Sequence, residues 1–96
     1  MSLQPKQSEF ARMVALLIQF ITQQGYEVTF GDAYATDGHV VDSFHYKRLA
    51  IDLNLFKDGV FLTKTEDHKF AGEFWESIGG SWGGRWNDGN HYSYGE

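Results

Sequence analysis

Four side chains in this sequence could act together on a hydrolysable bond: His45, Asp52, Asp88 and His91. Asp52 is the anomaly. It sits in the middle of an alternating apolar run, Leu49-Ala50-Ile51-Asp52-Leu53-Asn54-Leu55, where strand propensity disfavours an aspartate. Taken alone it reads as a strand residue on a solvated face. His45, seven residues earlier, supplies an imidazole. The chain has no cysteine, so any bound metal must be held by imidazole and carboxylate, a donor set that suits a catalytic zinc better than a structural one. Along an unbroken strand seven residues span about 23 Å, at ~3.3 Å each, whereas zinc ligands converge to within about 2 Å of the ion. His45 and Asp52 can therefore share an ion only if the chain reverses between them, through the polar Tyr46-Lys47-Arg48.

Asp88 and His91 lie three apart in Asn87-Asp88-Gly89-Asn90-His91, which has turn composition. His91 would complete a His-Asp-His set with its fourth position open to water. Asp88 would then be placed to take the proton from that water. Each residue also has a plainer reading. Asp88 alone is a turn-capping aspartate, and either histidine alone is a surface or core-edge residue. The same plain reading is given to His39, beside Gly38 in a polar loop, and to His68, in the first turn of a helix.

The elements that must position these residues follow from periodicity. Phe10, Met13, Val14, Leu17, Ile18 and Ile21 recur at helical spacing, so a helix is expected over residues 8–23, with Ser8 as N-cap and Gly25 as the left-handed C-cap residue. Tyr26, Val28 and Phe30 alternate as a strand, and Ala33 to Asp42 reads as a loop. Leu49, Ile51, Leu53 and Leu55 mark the clearest strand, with Asp52 and Asn54 on its other face. Lys57-Asp58-Gly59 turns the chain into a partner strand, Val60-Phe61-Leu62. Thr65-Glu66-Asp67 opens a second helix, whose buried face is Phe70, Ala71, Phe74, Trp75 and Ile78 and whose end is Gly79-Gly80. The segment from Ser81 onward is rich in glycine and aromatics, and no strand is read in it.

The run Ser43-Phe44-His45-Tyr46-Lys47-Arg48-Leu49-Ala50-Ile51-Asp52-Leu53 resembles the Ser-x-His-(x)4-Ala-x-Asp-Leu motif of the zinc D-alanyl-D-alanine carboxypeptidase family, which includes phage endolysins with L-alanyl-D-glutamate endopeptidase activity. Asp88 and His91 match its second motif, an acidic residue three before a histidine. Trp82-Gly83-Gly84-Arg85-Trp86 is similar to the segment that precedes that motif in phage-like members. The likeness covers roughly residues 26–92. It implies His45, Asp52 and His91 as zinc ligands and Asp88 as general base. It also implies an α+β fold, a small antiparallel sheet carrying the zinc site on one face with helices packed on the other. Four positions depart from the pattern. An upstream arginine that helps bind or polarise substrate is absent around Tyr34-Ala35-Thr36, and the stretch from Ala35 to His45 is short. Arg48 stands where a glycine is usual, and Ser93 where a glutamate is common. Ser43 of the motif and Arg85 are the candidate substrate-binding residues, with Arg48 a second source of the missing charge.

Composition narrows the alternatives. The 96 residues are one domain's worth, so residues 1–96 are expected to form a single catalytic domain with no separate wall-binding domain. With 42% hydrophobic and 17% aromatic residues the chain can fold. A net charge of −5, with its eight Lys and Arg scattered, opposes nucleic-acid binding. No apolar run is long enough to insert in a membrane, and Glu9 and Arg12 interrupt any signal peptide, so synthesis in the cytoplasm and action on the wall after release are expected. The leading expectation is a zinc L-alanyl-D-glutamate endopeptidase acting on cell-wall stem peptide. The alternatives are a D-alanyl-D-alanine carboxypeptidase and a zinc-binding module without turnover. Two imidazoles and a carboxylate also suit non-haem iron.

Overall fold

The computed structural model describes residues 4–31 and 49–95. The chain order is α1 (Gln4–Gln23), β1 (Glu27–Phe30), β2 (Ala50–Lys57), β3 (Val60–Leu62), a 3-10 turn (Thr65–His68) running into α2 (Lys69–Ser77), β4 (Ser81–Trp82), a second 3-10 turn (Gly83–Trp86) and β5 (His91–Ser93). The expected loop 33–42 and the reversal at residues 46–48 lie outside the described residues.

Helix α1 buries Phe10, Met13, Val14, Leu17 and Ile21, the stripe its sequence spacing anticipates. It begins four residues earlier than expected. Pro5 is compatible with a first turn, where backbone N–H groups have no intrahelical partner. Ser8 is therefore an interior residue, and its hydroxyl accepts from Gln4 Nε2 at 2.7 Å. The helix ends as expected at Gly25 (φ 91°). Tyr26 N–H donates to Ile21 C=O and Gly25 N–H to Thr22 C=O, which satisfies the last carbonyls in a Schellman arrangement. Helix α2 stops the same way at Gly79 (φ 104°), with Gly80 N–H donating to Trp75 C=O and Gly79 N–H to Glu76 C=O.

Strand β2 is the spine of the sheet. Strand β1 pairs antiparallel with its residues 53–56 and β3 with residues 55–57, so these two lie on opposite edges of β2. Asp58 (φ 52°) and Gly59 (φ 79°) both take left-handed conformations, the two-residue turn that matches strand twist. Strand β5 pairs with residues 50–52, and β4 lies beyond it. Gly31 N–H donates to Asp52 C=O at 2.8 Å, which extends the β1 side past that point. Strands β3 and β5 therefore share one edge of β2, with a gap between them.

Leu49, Ile51, Leu53 and Leu55 are buried in one core with the α1 stripe, Ala71, Trp75, Trp82 and Tyr92. At 20–33 cal/mol per Å² of apolar area, burial of this set is the main stabilising term. Trp75 is fully buried. Its Nε1–H donates to Ser93 C=O (2.8 Å) and Ser81 C=O (3.2 Å), so α2 is fastened to both short strands. The expected α+β arrangement, an antiparallel sheet backed by helices, is what the described residues form. Strands β4 and β5 were not anticipated, because two and three residues are too short to display alternation.

Candidate functional site

Asp52 and His91 come together by strand pairing. They are direct cross-strand partners of β2 and β5, on the sheet face away from the leucines. Side chains paired across an antiparallel ladder sit close enough to interact, so residues 39 apart in sequence meet without any special loop. Asp52 Oδ1 and His91 Nδ1 are 3.5 Å apart, and the two side chains are 22% and 13% exposed. Two donors each about 2 Å from one tetrahedral zinc stand roughly 3.3 Å apart, so the separation of this pair is compatible with a shared ion. Among the described residues no third histidine, aspartate or glutamate joins them as a metal-holding group. His45 and Ser43, the other residues expected here, lie outside the described residues, as do Arg48 and His39. Gly31 packs on Asp52: a Cβ there would stand 3.1 Å from Asp52 Cβ.

Asp88 sits in the turn that leads into β5. His91 N–H donates to Asp88 C=O at 3.2 Å, which closes the turn the sequence anticipated. Three contacts hold it. Asp88 N–H donates to Gly83 C=O (2.9 Å), Trp82 Nε1–H to Gly89 C=O (2.7 Å) and Gly89 N–H to the Thr65 hydroxyl (3.2 Å). Asn87 takes a left-handed φ of 64° to enter the turn. Asp88 is exposed. The Trp-Gly-Gly segment thus works as a bracket for the turn, and Gly83 permits it: a Cβ there would meet Asp88 C=O at 2.3 Å.

A cleft of about 350 Å³ opens at the gap between β3 and β5. Leu53 and Asn90, adjacent in sequence to Asp52 and His91, line it together with Asn54, Phe61, Lys64, His68 and Asp88. Asp88 lines the cleft, whereas Asp52 and His91 are not among its lining residues. Arg85 is placed elsewhere. Its guanidinium donates twice to the Glu76 carboxylate, at 2.6 and 2.8 Å, and lies over the Trp82 ring at 5.4 Å. Those bonds hold the Glu76 carboxyl below its usual range. Lys64 is the one lysine or arginine among the described residues that line the cleft.

His68 corrects the expectation of a surface or core-edge residue. It is 3% exposed, with Nδ1 2.8 Å from the Tyr92 hydroxyl. Burial pushes its pKa down to about 4, against a weaker opposing pull from Asp67. Burial also pushes the Tyr92 phenol upward. The sequence carried a signal for this: His68, Ala71, Gly72 and Trp75 recur at helical spacing, and all four are buried.

A family model described as D-alanyl-D-alanine carboxypeptidase matches residues 36–94. That span contains both expected motifs and every candidate site residue. No curated protein matches the chain. Among the described residues no helix is long and apolar enough to cross a membrane.

Proposed function

The chain belongs to the D-alanyl-D-alanine carboxypeptidase family of peptidases, and on that footing we propose that it is a zinc-dependent peptidase cleaving peptidoglycan stem peptide, with His45, Asp52 and His91 as ligands and Asp88 as general base. The observation that carries the reading is the 3.5 Å approach of Asp52 Oδ1 to His91 Nδ1, with Asp88 on the turn that leads into the His91 strand. A zinc ion held there supplies a Lewis acid that polarises a carbonyl and makes water acidic near neutral pH. The rest is the work of the chain's own groups. Asp88, exposed on a turn braced at three points, takes up a proton on its carboxylate and passes it to the departing amine. The bracing matters because a base must hold hydrogen-bond reach throughout the reaction. Asp52, on the central strand, would supply the carboxylate ligand.

Within this class the finer reading is an L-alanyl-D-glutamate endopeptidase of the endolysin kind. Its support is the Trp82-Gly83-Gly84 segment and the absence of an arginine around Tyr34-Ala35-Thr36 to receive a terminal carboxylate. The family's own description favours a second reading, removal of a terminal D-alanine.

The test is metal content by elemental analysis on untagged protein, paired with digestion of purified peptidoglycan. One zinc per chain with new amino termini is expected, and mass spectrometry of the fragments separates the two bonds. Zinc without cleavage of any wall type would point to a binding module. No metal after zinc is supplied would sink the proposal.

A further inference from the structure

Strand β2 carries three side chains in a row on the face away from the leucines: Asp52, Asn54 and Phe56. At ~3.3 Å per residue, Phe56 stands about 13 Å along the strand from Asp52. Phe61, its direct partner on β3, lies on the same face. The two rings have centroids 5.2 Å apart and planes inclined at 32°, and Phe61 is 52% exposed. Neither ring belongs to the hydrophobic core. Phe61, Asn54 and Asp88 line the same cleft. Asn54 makes one hydrogen bond among the described residues, from Nδ2 to the Thr29 hydroxyl at 3.2 Å, so the other end of its amide remains for a ligand. An exposed apolar pair rimmed by polar groups marks a contact site, and the peptidase reading gives this one no role.

We propose that Phe56 and Phe61 form a platform for a pyranose ring, so that the protein acts on stem peptide still joined to the glycan strand rather than on released peptide. The proposal rests on the endopeptidase reading for its distances. In the wall, the first L-alanine is amide-linked to the lactyl group of N-acetylmuramic acid. One alanine and one lactyl unit span about 7 Å, at up to ~3.6 Å each, and the sugar ring begins there. A ring resting on the platform therefore leaves the L-alanyl-D-glutamate bond near Asp52. For a terminal D-alanine bond, four residues and the lactyl unit span about 18 Å before the ring begins, which overshoots the platform. Alanine and lactate offer only methyl groups, whereas a pyranose offers a flat face of C–H bonds, which the negative face of a phenyl ring attracts. Asn54 meets the ring's hydroxyl groups, which both donate and accept, so either end of its amide serves. Glu27, paired with Phe56 from β1, adds an acceptor at the rim. A second copy of the chain fits the face less well. At roughly 150–250 Å² each, two phenyl rings fall far short of the ~800 Å² per partner that a stable interface buries.

The test is equilibrium binding by NMR titration of the full chain carrying Asp88→Asn. The probes are N-acetylmuramoyl-L-alanyl-D-isoglutamine and its sugar-free counterpart, N-acetyl-L-alanyl-D-isoglutamine. The sugar-bearing probe is expected to bind about tenfold more tightly, with shift changes at Asn54, Phe56 and Phe61 that the sugar-free probe does not cause. Phe61→Ala should erase the advantage and leave the sugar-free affinity unchanged, whereas Phe61→Tyr should retain it. Equal affinity for the two probes, an advantage that survives Phe61→Ala, or no binding of either probe would overturn the platform. Concentration-dependent association of the wild type that Phe61→Ala abolishes, with no sugar advantage, would assign the face to a second copy instead. A sugar advantage in a protein whose wild type releases nothing from any wall would leave the platform standing and remove the peptidase reading. Wall cleavage by a protein indifferent to the sugar would do the reverse.

Discussion

Asp52 and His91 face each other across the β2–β5 ladder with Oδ1 and Nδ1 3.5 Å apart, and neither side chain is more than 22% exposed. A carboxylate and an imidazole held this way by backbone pairing are pre-positioned, so little side-chain order remains to be imposed by an ion. Asp52→Ala and His91→Ala should each lose zinc at stoichiometric loading. Wild type should show a higher melting temperature with zinc than with chelator, because an ion that binds only the folded state stabilises it. Isothermal titration with zinc, and thermal melts with and without EDTA, give the two readouts. Wild-type melting that ignores both zinc and chelator would remove the metal assignment.

Asp88 contributes chemistry, not metal binding, on the reading above. Asp88→Asn keeps size and turn propensity but cannot take a proton. It should bind one zinc, melt within a degree or two of wild type, and lose on the order of 10²–10⁴-fold in turnover. Loss of zinc from this variant would make Asp88 a ligand and reverse the roles.

The His68 imidazole should make stability depend on pH in a defined window. Its folded pKa of about 4 lies below the ordinary value of 6.5, so between these the unfolded chain binds more protons. Stability from this group is therefore fully present above pH 6.5 and is lost as pH falls toward 4. Its size is up to roughly 3 kcal/mol, from 1.36 kcal/mol per pKa unit. His68→Gln cannot titrate. Urea unfolding of both proteins at pH 7, 6, 5 and 4 should show wild type losing its relative advantage as pH drops. A stability difference constant with pH would show that His68 does not titrate as described.

Gly72 lies in the middle of α2, where glycine weakens a helix, and packing explains it. A Cβ there would stand 2.1 Å from the Trp82 indole. Gly72→Ala should therefore destabilise by about 1–3 kcal/mol, against the ~1 kcal/mol gain that helix propensity alone favours. Because Trp82 Nε1–H also braces the Asp88–Gly89 turn, activity should fall more than stability explains. A stabilised variant with full activity would contradict this packing.

Much of this protein follows from its sequence. Period 3.6 in Phe10 to Ile21 and period 2 in Leu49 to Leu55 mark elements whose buried faces the structure keeps, because a long amphipathic pattern has few ways to hide its apolar side. Gly25, Asp58-Gly59 and Gly79 mark three chain reversals for an equally local reason, since each takes a positive φ that glycine or a short polar residue tolerates. Asp52, Asp88 and His91 stand out in the sequence by residue type and spacing. What only the tertiary structure decided was proximity. Strand β5 is three residues long and has no periodicity to read, yet its register with β2 puts His91 opposite Asp52. A slip of one residue would turn His91 into the core. The cleft is likewise a product of topology, a gap left where β3 and β5 share one edge of β2. His68 became a buried imidazole lining that cleft, hydrogen-bonded to the Tyr92 hydroxyl 24 residues away. Local sequence carries propensity and pattern, whereas pairing register and burial are settled by the whole chain packing at once.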